Sequence, residues 1–303
     1  MEILSVNNIV KRFGNYEAVS KVSFSVGEGT IFGLLGPNGA GKTTTIRMIT
    51  NILIPDEGEV LLFGEKVGSS QQERIGYLPE ERGLYKKIKV IDQLIYFGQL
   101  KGLSRTDAQS EARKWLLRLD ASDWETKKIQ ELSKGMQQKV QFISTVLHNP
   151  DLLILDEPFS GFDPINTETI KKIVLDLKEE GKTVILSTHI MEQVEQLCDN
   201  ICLIDRGKLV LSGLVRDIKR EFGRDTIIME FDGEDSFLDQ FHNIKFINRT
   251  RNRAEFRVSD GESSAMEILR AAAQNNNIYK FELAEPSLNE IFIDVVSRNE
   301  AKQ

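Results

Sequence analysis

The chain has 303 residues, more than one hydrophobic core ordinarily holds, so two domains, or one large domain with an appendage, are expected. With 40% hydrophobic and 28% charged residues and only 7 prolines, it has the apolar material for a packed core, which excludes disorder and collagen-like architectures. A balance of 39 Lys+Arg against 46 Asp+Glu, net −7, with no basic excess on either side of Ser212, argues against a protein whose main work is neutralising nucleic-acid phosphate.

At the start of the chain, residues 3–11 and 19–26 read as antiparallel strands feeding into a parallel sheet. No uninterrupted apolar run of about eighteen residues follows anywhere, so the chain is not expected to cross a membrane unaided. Residues 31–35, IFGLL, read as a buried strand, and directly after them stands Gly36-Pro37-Asn38-Gly39-Ala40-Gly41-Lys42-Thr43-Thr44, leading into the helical TTTIRMI. This is G-x-x-x-x-G-K-T in the strand–loop–helix setting that the phosphate loop requires. Glycines let the backbone wrap so that successive N–H groups point at phosphate oxygens, and the helix N-terminus adds its positive end. Lys42 would reach the β- and γ-phosphates, and the Thr43 hydroxyl would ligate Mg²⁺.

The middle stretch carries helical periodicity over residues 90–102, 104–119 and 133–147, a helical insertion spanning about 85–147. Buried strands follow at 152–155 and 183–186. The first runs directly into Asp156-Glu157, where a carboxylate at a strand end suits the metal side of a phosphate site. Asp156 is the metal candidate. Glu157 is placed to accept a proton from a water attacking the γ-phosphate. Cys198 and Cys202, in a C-x3-C spacing amid apolar residues, match neither a zinc nor a redox pair and read as buried thiols; His148, His189 and His242 are too scattered for a metal cluster. So few cysteines suit a reducing cytosol. After Gly213 the pattern becomes βαββαβ plus a terminal helix: strands at 226–231, 245–250, 254–258 and 278–283, helices at 235–242, 262–274 and 286–296. That order is a ferredoxin-like split βαβ unit.

These motifs carry a family resemblance. Together with LLILDEP, the run Leu132-Ser133-Lys134-Gly135-Met136, which is similar to the signature LSGGQ, Ser160-Gly161-Phe162-Asp163 at the D-loop position and Ser187-Thr188-His189 at the switch histidine resemble the ATP-binding subunit of an ABC transporter. The resemblance implies an α/β fold, a P-loop ABC cassette with a helical subdomain over 1–215, and a small α+β ferredoxin-like domain over 222–303. It implies ATP and Mg²⁺ as ligands, Phe13 stacked on adenine, and His189 holding the γ-phosphate and the attacking water. Ser133 and Gly135 would contact that phosphate across a homo- or heterodimer of cassettes, with Asp163 supporting the opposite site. The implied partners are polytopic membrane permease subunits at the cytoplasmic face of the cell membrane, and no nucleic acid.

Two positions depart from the family pattern. Glu80 stands where a glutamine is usual, so a carboxylate takes the place of the amide that senses Mg²⁺ and the membrane subunit. Lys134 and Met136 alter the signature. The tail ending FELAEPSLNEIFIDVV is similar to the small domain of sodium-extrusion-type exporters, which implies export. Arg249, Arg251, Arg253 and Arg257 fall together in its hairpin, a solvated basic face or else a docking site. A soluble ABC-type ATPase acting on nucleic acid or ribosomes, and an ATP-binding regulatory module with little turnover, are the competing readings.

Overall fold

A hairpin opens the chain. In the computed structural model, which describes residues 2–81, 83–223, 226–233, 235–258 and 262–300, strand β1 (Glu2–Phe13) turns at Gly14 and Asn15 into β2 (Tyr16–Gly27). Gly14 takes φ 60°, the left-handed conformation that a two-residue hairpin turn needs. The turn sets Phe13 directly opposite Tyr16. There follow β3 (Ile31–Leu35), α1 (Lys42–Ile49), β4 (Glu57–Leu62), β5 (Glu65–Lys66), α2 (Ser69–Glu73) and β6 (Ile75–Leu78). The helical layer comes next, with α3 (Val90–Leu100), α4 (Arg105–Arg118) and α5 (Lys134–Val146). Then β7 (Leu152–Asp156), α6 (Pro164–Glu179), β8 (Thr183–Thr188), α7 (Met191–Leu197), β9 (Asn200–Asp205) and β10 (Lys208–Leu214) complete the first of two compact units, Met1–Leu214.

Every residue of β3, β7 and β8 is buried, as a strand covered on both faces must be. They lie side by side in a six-stranded sheet of order β10-β9-β3-β8-β7-β6, parallel except at β10. One expectation fails here. The N-terminal strands do not feed that sheet, because β1 spends both edges on antiparallel partners, β2 and β4, in a separate sheet of order β2-β1-β4-β5. Side chains join the two layers: Val6, Ile9 and Val22 share one buried cluster with Phe32, Leu34, Ile46 and Ile154. Cys198 and Cys202 are free buried thiols, and burial pushes both well above the usual thiol range.

The second unit, Val215–Gln303, holds α8 (Val215–Glu221), β11 (Thr226–Asp232), β12 (Ile244–Thr250), β13 (Arg253–Val258), α9 (Glu262–Asn275), β14 (Asn277–Ala284) and α10 (Leu288–Glu300). Its antiparallel sheet runs β12-β13-β11-β14, the 2-3-1-4 order of a ferredoxin-like fold. A one-turn 3₁₀ segment, Ser236–Gln240, stands where the first helix was expected. The alternating Ile227, Met229 and Phe231 of β11 meet Ile268 and Ala272 of α9 in a core of their own. Three of the four hairpin arginines are drawn into ion pairs: Arg249 with Asp235 (2.6 Å) and Asp239 (2.9 Å), Arg257 with Asp294 (3.4 Å), and Arg253 with Glu255 (3.8 Å).

Candidate active site

The loop between β3 and α1 is shaped by how closely its backbone passes other strands. A Cβ at Gly36 would strike the Ile204 carbonyl oxygen, and one at Gly41 would lie 2.5 Å from the Ala18 oxygen. Both residues also hold positive φ, 145° and 108°, so glycine is required there by packing and conformation together. Gly41 caps α1, and no acidic residue occupies the first turn. The first-turn N–H groups, from Lys42 onward, have no acceptor within the helix and face the loop with the positive end of the dipole. Lys42 is buried, and its Nζ donates to the carbonyls of Gly36 (2.7 Å) and Pro37 (3.1 Å). Burial lowers its pKa, and the charges of Glu157, Asp156 and Glu80 oppose that shift.

Asp156 ends β7, 2% exposed, and accepts the Thr43 hydroxyl at 3.0 Å. Glu157 follows at φ 49°, a left-handed conformation outside glycine, with its N–H on the Ser187 carbonyl at the end of β8. Its side chain is held at both oxygens: His189 Nδ1 donates to Oε1 at 2.7 Å, and the Thr188 hydroxyl donates to Oε2 at 3.4 Å. That contact fixes the histidine's Nδ1 as the protonated nitrogen and leaves Nε2 for another partner.

A cleft of about 380 Å³ unites Phe13, Asn38, Gly39, Gly41, Lys42, Thr43, Thr44, Glu80, Asp156 and Glu157. Two hard oxygens bonded to each other, Thr43 Oγ1 and Asp156 Oδ2, beside the anionic Glu80 and Glu157, fit a Mg²⁺ ion that takes few protein ligands and completes its shell with phosphate and water. The positive loop on the opposite wall suits the phosphates themselves.

Residues 19–160 match the ABC transporter family, and residues 213–296 match the C-terminal domain of DrrA1-3-like ATP-binding proteins. An uncharacterized ABC transporter ATP-binding protein of Bacillus subtilis, YhaQ, is 46% identical over 97% of this chain and 98% of its own length. The chain belongs to the ABC transporter ATP-binding protein family. Another whole-length relative is the linearmycin resistance ATP-binding protein LnrL of the same organism, 33% identical over 98% of this chain and 99% of its own. The Nod factor export ATP-binding protein I of Burkholderia lata is 36% identical over 74% of this chain and 75% of its own. Among solved structures, an ATP-binding subunit of an ABC transporter superposes with TM-score 0.68 at 29% identity, covering 73% of this chain and 93% of that one. As a member of this family the chain is an ATP-binding, ATP-hydrolysing transporter subunit, of a kind that dimerises and pairs with membrane permease subunits.

Of the expected residues, Gly36, Pro37, Ala40 and His189 adjoin the cleft without lining it, through the loop and through Glu157, while Ser133, Gly135 and Asp163 stand at other helix ends. Ser133 is the exposed N-cap of α5, its hydroxyl accepting the Met136 N–H at 3.2 Å, and Gly135 is the second residue of the helix. A Cβ on Gly135 would meet Phe162 alone, at 3.8 Å, so nothing in this chain's own packing requires glycine there. Asp163 caps α6: its carboxylate accepts the Asn166 N–H (2.9 Å) and Nδ2 (2.6 Å), which holds it below the usual carboxylate range. Pro37 and Ala40 complete the loop as spacers, Pro37 exposed and Ala40 buried. Sequence reasoning missed Tyr16, 59% exposed and lining the cleft beside Phe13. The signal was present in F-G-N-Y, since a two-residue turn forces the flanking aromatics into register.

Proposed function

We propose that this chain is the energy-coupling ATPase of an exporter, working as a pair of cassettes bound to separate permease subunits at the cytoplasmic face of the membrane. The observation that carries the reading is the split of the expected site: the cleft gathers the loop and the acidic residues, while Ser133, exposed, and Gly135, half-buried, sit at another helix end. Half a site in each chain calls for a second cassette.

In this reading Phe13, with Tyr16 beside it, holds the adenine ring by stacking. The N–H groups of Gly36, Asn38, Gly39 and residues 41–44 and the Lys42 ammonium hold the phosphates, Pro37 having no N–H and Ala40 bonding back to the Pro37 carbonyl. Thr43, Asp156 and Glu80 hold Mg²⁺, which when bound neutralises phosphate charge. Glu157 takes the proton of the water whose oxygen attacks the γ-phosphorus, and the bond to the β-phosphate oxygen breaks, leaving ADP and phosphate. His189 orients that water and the γ-phosphate through Nε2 while Glu157 holds Nδ1. The other cassette's Ser133 and Gly135 close the site from the far side with the α5 N-terminus, so cleavage removes the bridge between the two chains. Asp163 serves the opposite site through its place in the chain, since its carboxylate is committed to the α6 cap.

Export is supported by the names of relatives, linearmycin resistance and Nod factor export ATP-binding proteins; the tail matches the C-terminal domain of DrrA1-3-like ATP-binding proteins and not a sodium-extrusion-type one. Those names differ in what is handled, as expected if the cassette supplies force and the permease chooses cargo. Phosphate release from the purified chain tests the chemistry. Glu157→Gln should lose on the order of 10²- to 10⁴-fold in turnover while keeping ATP affinity, as removal of a general base does, and Lys42→Ala should lose affinity. Equal turnover in the parent chain and Glu157→Gln would contradict the assignment.

A further inference from the structure

Three of the buried residues of β8 carry hydroxyls, and two of the three are bonded within the chain. Thr183, at the start of the strand, accepts the Gly29 N–H at 2.9 Å. Thr188, at its end, donates to Glu157 Oε2 and accepts the Ile190 N–H at 3.2 Å. Ser187 differs: it is fully buried, and no group among the described residues bonds its Oγ. Its surroundings follow from the pleat. Successive strand side chains alternate faces, so Ser187 shares a face with Ile185, and the register sets it level with Asp156 on β7 and Leu34 on β3. That face is turned to α1: Ile185, Leu34 and Ile154 share a buried cluster with Ile46 and Ile49, and Asp156 accepts the Thr43 hydroxyl. The unmet hydroxyl is therefore the strand neighbour of Asp156, on the side of the sheet that carries the phosphate loop's helix. A buried hydroxyl without a partner costs free energy, and alanine would fill the strand without that cost.

We propose that Ser187 is a positioning residue for the metal site, its hydroxyl kept free to bond a water of the Mg²⁺ shell beside Asp156. Mg²⁺ takes few protein ligands and keeps several waters, so the groups that bond those waters fix the ion along with the ligands themselves. Thr43 comes from α1 and Asp156 from β7; Ser187 adds β8 as a third support. The next two residues of the chain, Thr188 and His189, are the ones that hold the Glu157 carboxylate. One strand end thus reaches the metal side of the site through Ser187 and the proton-accepting side through its successors, and the Ser187 carbonyl also takes the Glu157 N–H at 2.9 Å. The inference rests on the reading that Thr43 and Asp156 hold Mg²⁺.

Mn²⁺ titration tests it on the full chain carrying Glu157→Gln, with the chain in excess over ATP so that the nucleotide is held and not consumed. The free-ion paramagnetic resonance signal reports how much Mn²⁺ is bound. Adding Ser187→Ala should weaken Mn²⁺ binding about tenfold, as loss of a group that supports a metal's ligand does, with ATP affinity in the absence of metal unchanged. Without nucleotide, the same variant should unfold at no lower urea concentration than its parent, because the fold does not use the hydroxyl. A fall in that urea midpoint would make the serine structural and overturn the proposal. Asp156→Asn separates the two readings. If it loses Mn²⁺ while Ser187→Ala binds as the parent does, the part given to Ser187 falls and the metal reading stands. If Asp156→Asn binds Mn²⁺ unchanged, the metal reading falls and the inference falls with it.

Discussion

At Glu157 the backbone is held in a left-handed conformation that costs a non-glycine residue roughly 1–2 kcal/mol, and the carboxylate is gripped at both oxygens by the end of β8. Strain kept where the chemistry is proposed is strain the surrounding bonds must hold. Gly135 offers the reverse case, a glycine that its own fold does not require. Gly135→Ala should leave thermal stability within about 0.5 kcal/mol, as unstrained partly exposed substitutions do, yet weaken ATP-driven association measured by sedimentation; a large loss of stability would show the glycine to be structural. His148 gives a pH-dependent test. Burial lowers its pKa to about 4 from 6.5, with its Nε2 donating to Ile75 O at 3.1 Å. Above pH 6.5 neither state binds the proton, and as pH falls below 6.5 the unfolded chain takes it up while the folded chain does not until about pH 4. Stability should therefore fall with acidification, by on the order of 2 kcal/mol at pH 5, and His148→Gln should flatten that limb of the urea-unfolding profile; parallel profiles would contradict the burial argument. The loop, Asp156 and Glu157 were legible because phosphate chemistry needs those residue types at fixed spacings. The part proposed for Ser187 was not, because an unmet hydroxyl shows only once its neighbours are placed.

Among the elements, the strands that could be read in advance were the uniformly apolar ones, β3, β7 and β8. The short β6 and the half-exposed β10 give weak patterns, and their pairing comes from the neighbours they extend. The hairpin of β1 and β2 was foreshortened because the charged Arg12 and Glu17 and the turn residues Gly14 and Asn15 broke the apolar pattern that marks its length, which also concealed Tyr16. Helix α6 begins with an Asp cap followed by Pro at its first position, the arrangement that starts a helix most firmly. Asp163→Ala should cost about 1 kcal/mol in urea unfolding, while Asp163→Asn should retain stability because asparagine caps as well. If both variants lose equally, the charge and not the cap is what matters there.

For the whole molecule, length pointed to two domains or one with an appendage, and each unit has a core of its own, from Ile3 to Ile204 in one and from Ile227 to Ala272 in the other. Among the described residues no helix is long and apolar enough to cross a membrane. In the proposed reading the far half of the nucleotide site comes from Ser133 and Gly135 of a second cassette, residues to which the signature resemblance already pointed. The direct test is the mass of Glu157→Gln by analytical ultracentrifugation, with and without saturating Mg²⁺-ATP. The account predicts monomer without nucleotide and dimer with it, reverting to monomer when Ser133→Arg is added. A variant that binds ATP tightly and remains monomeric would contradict it.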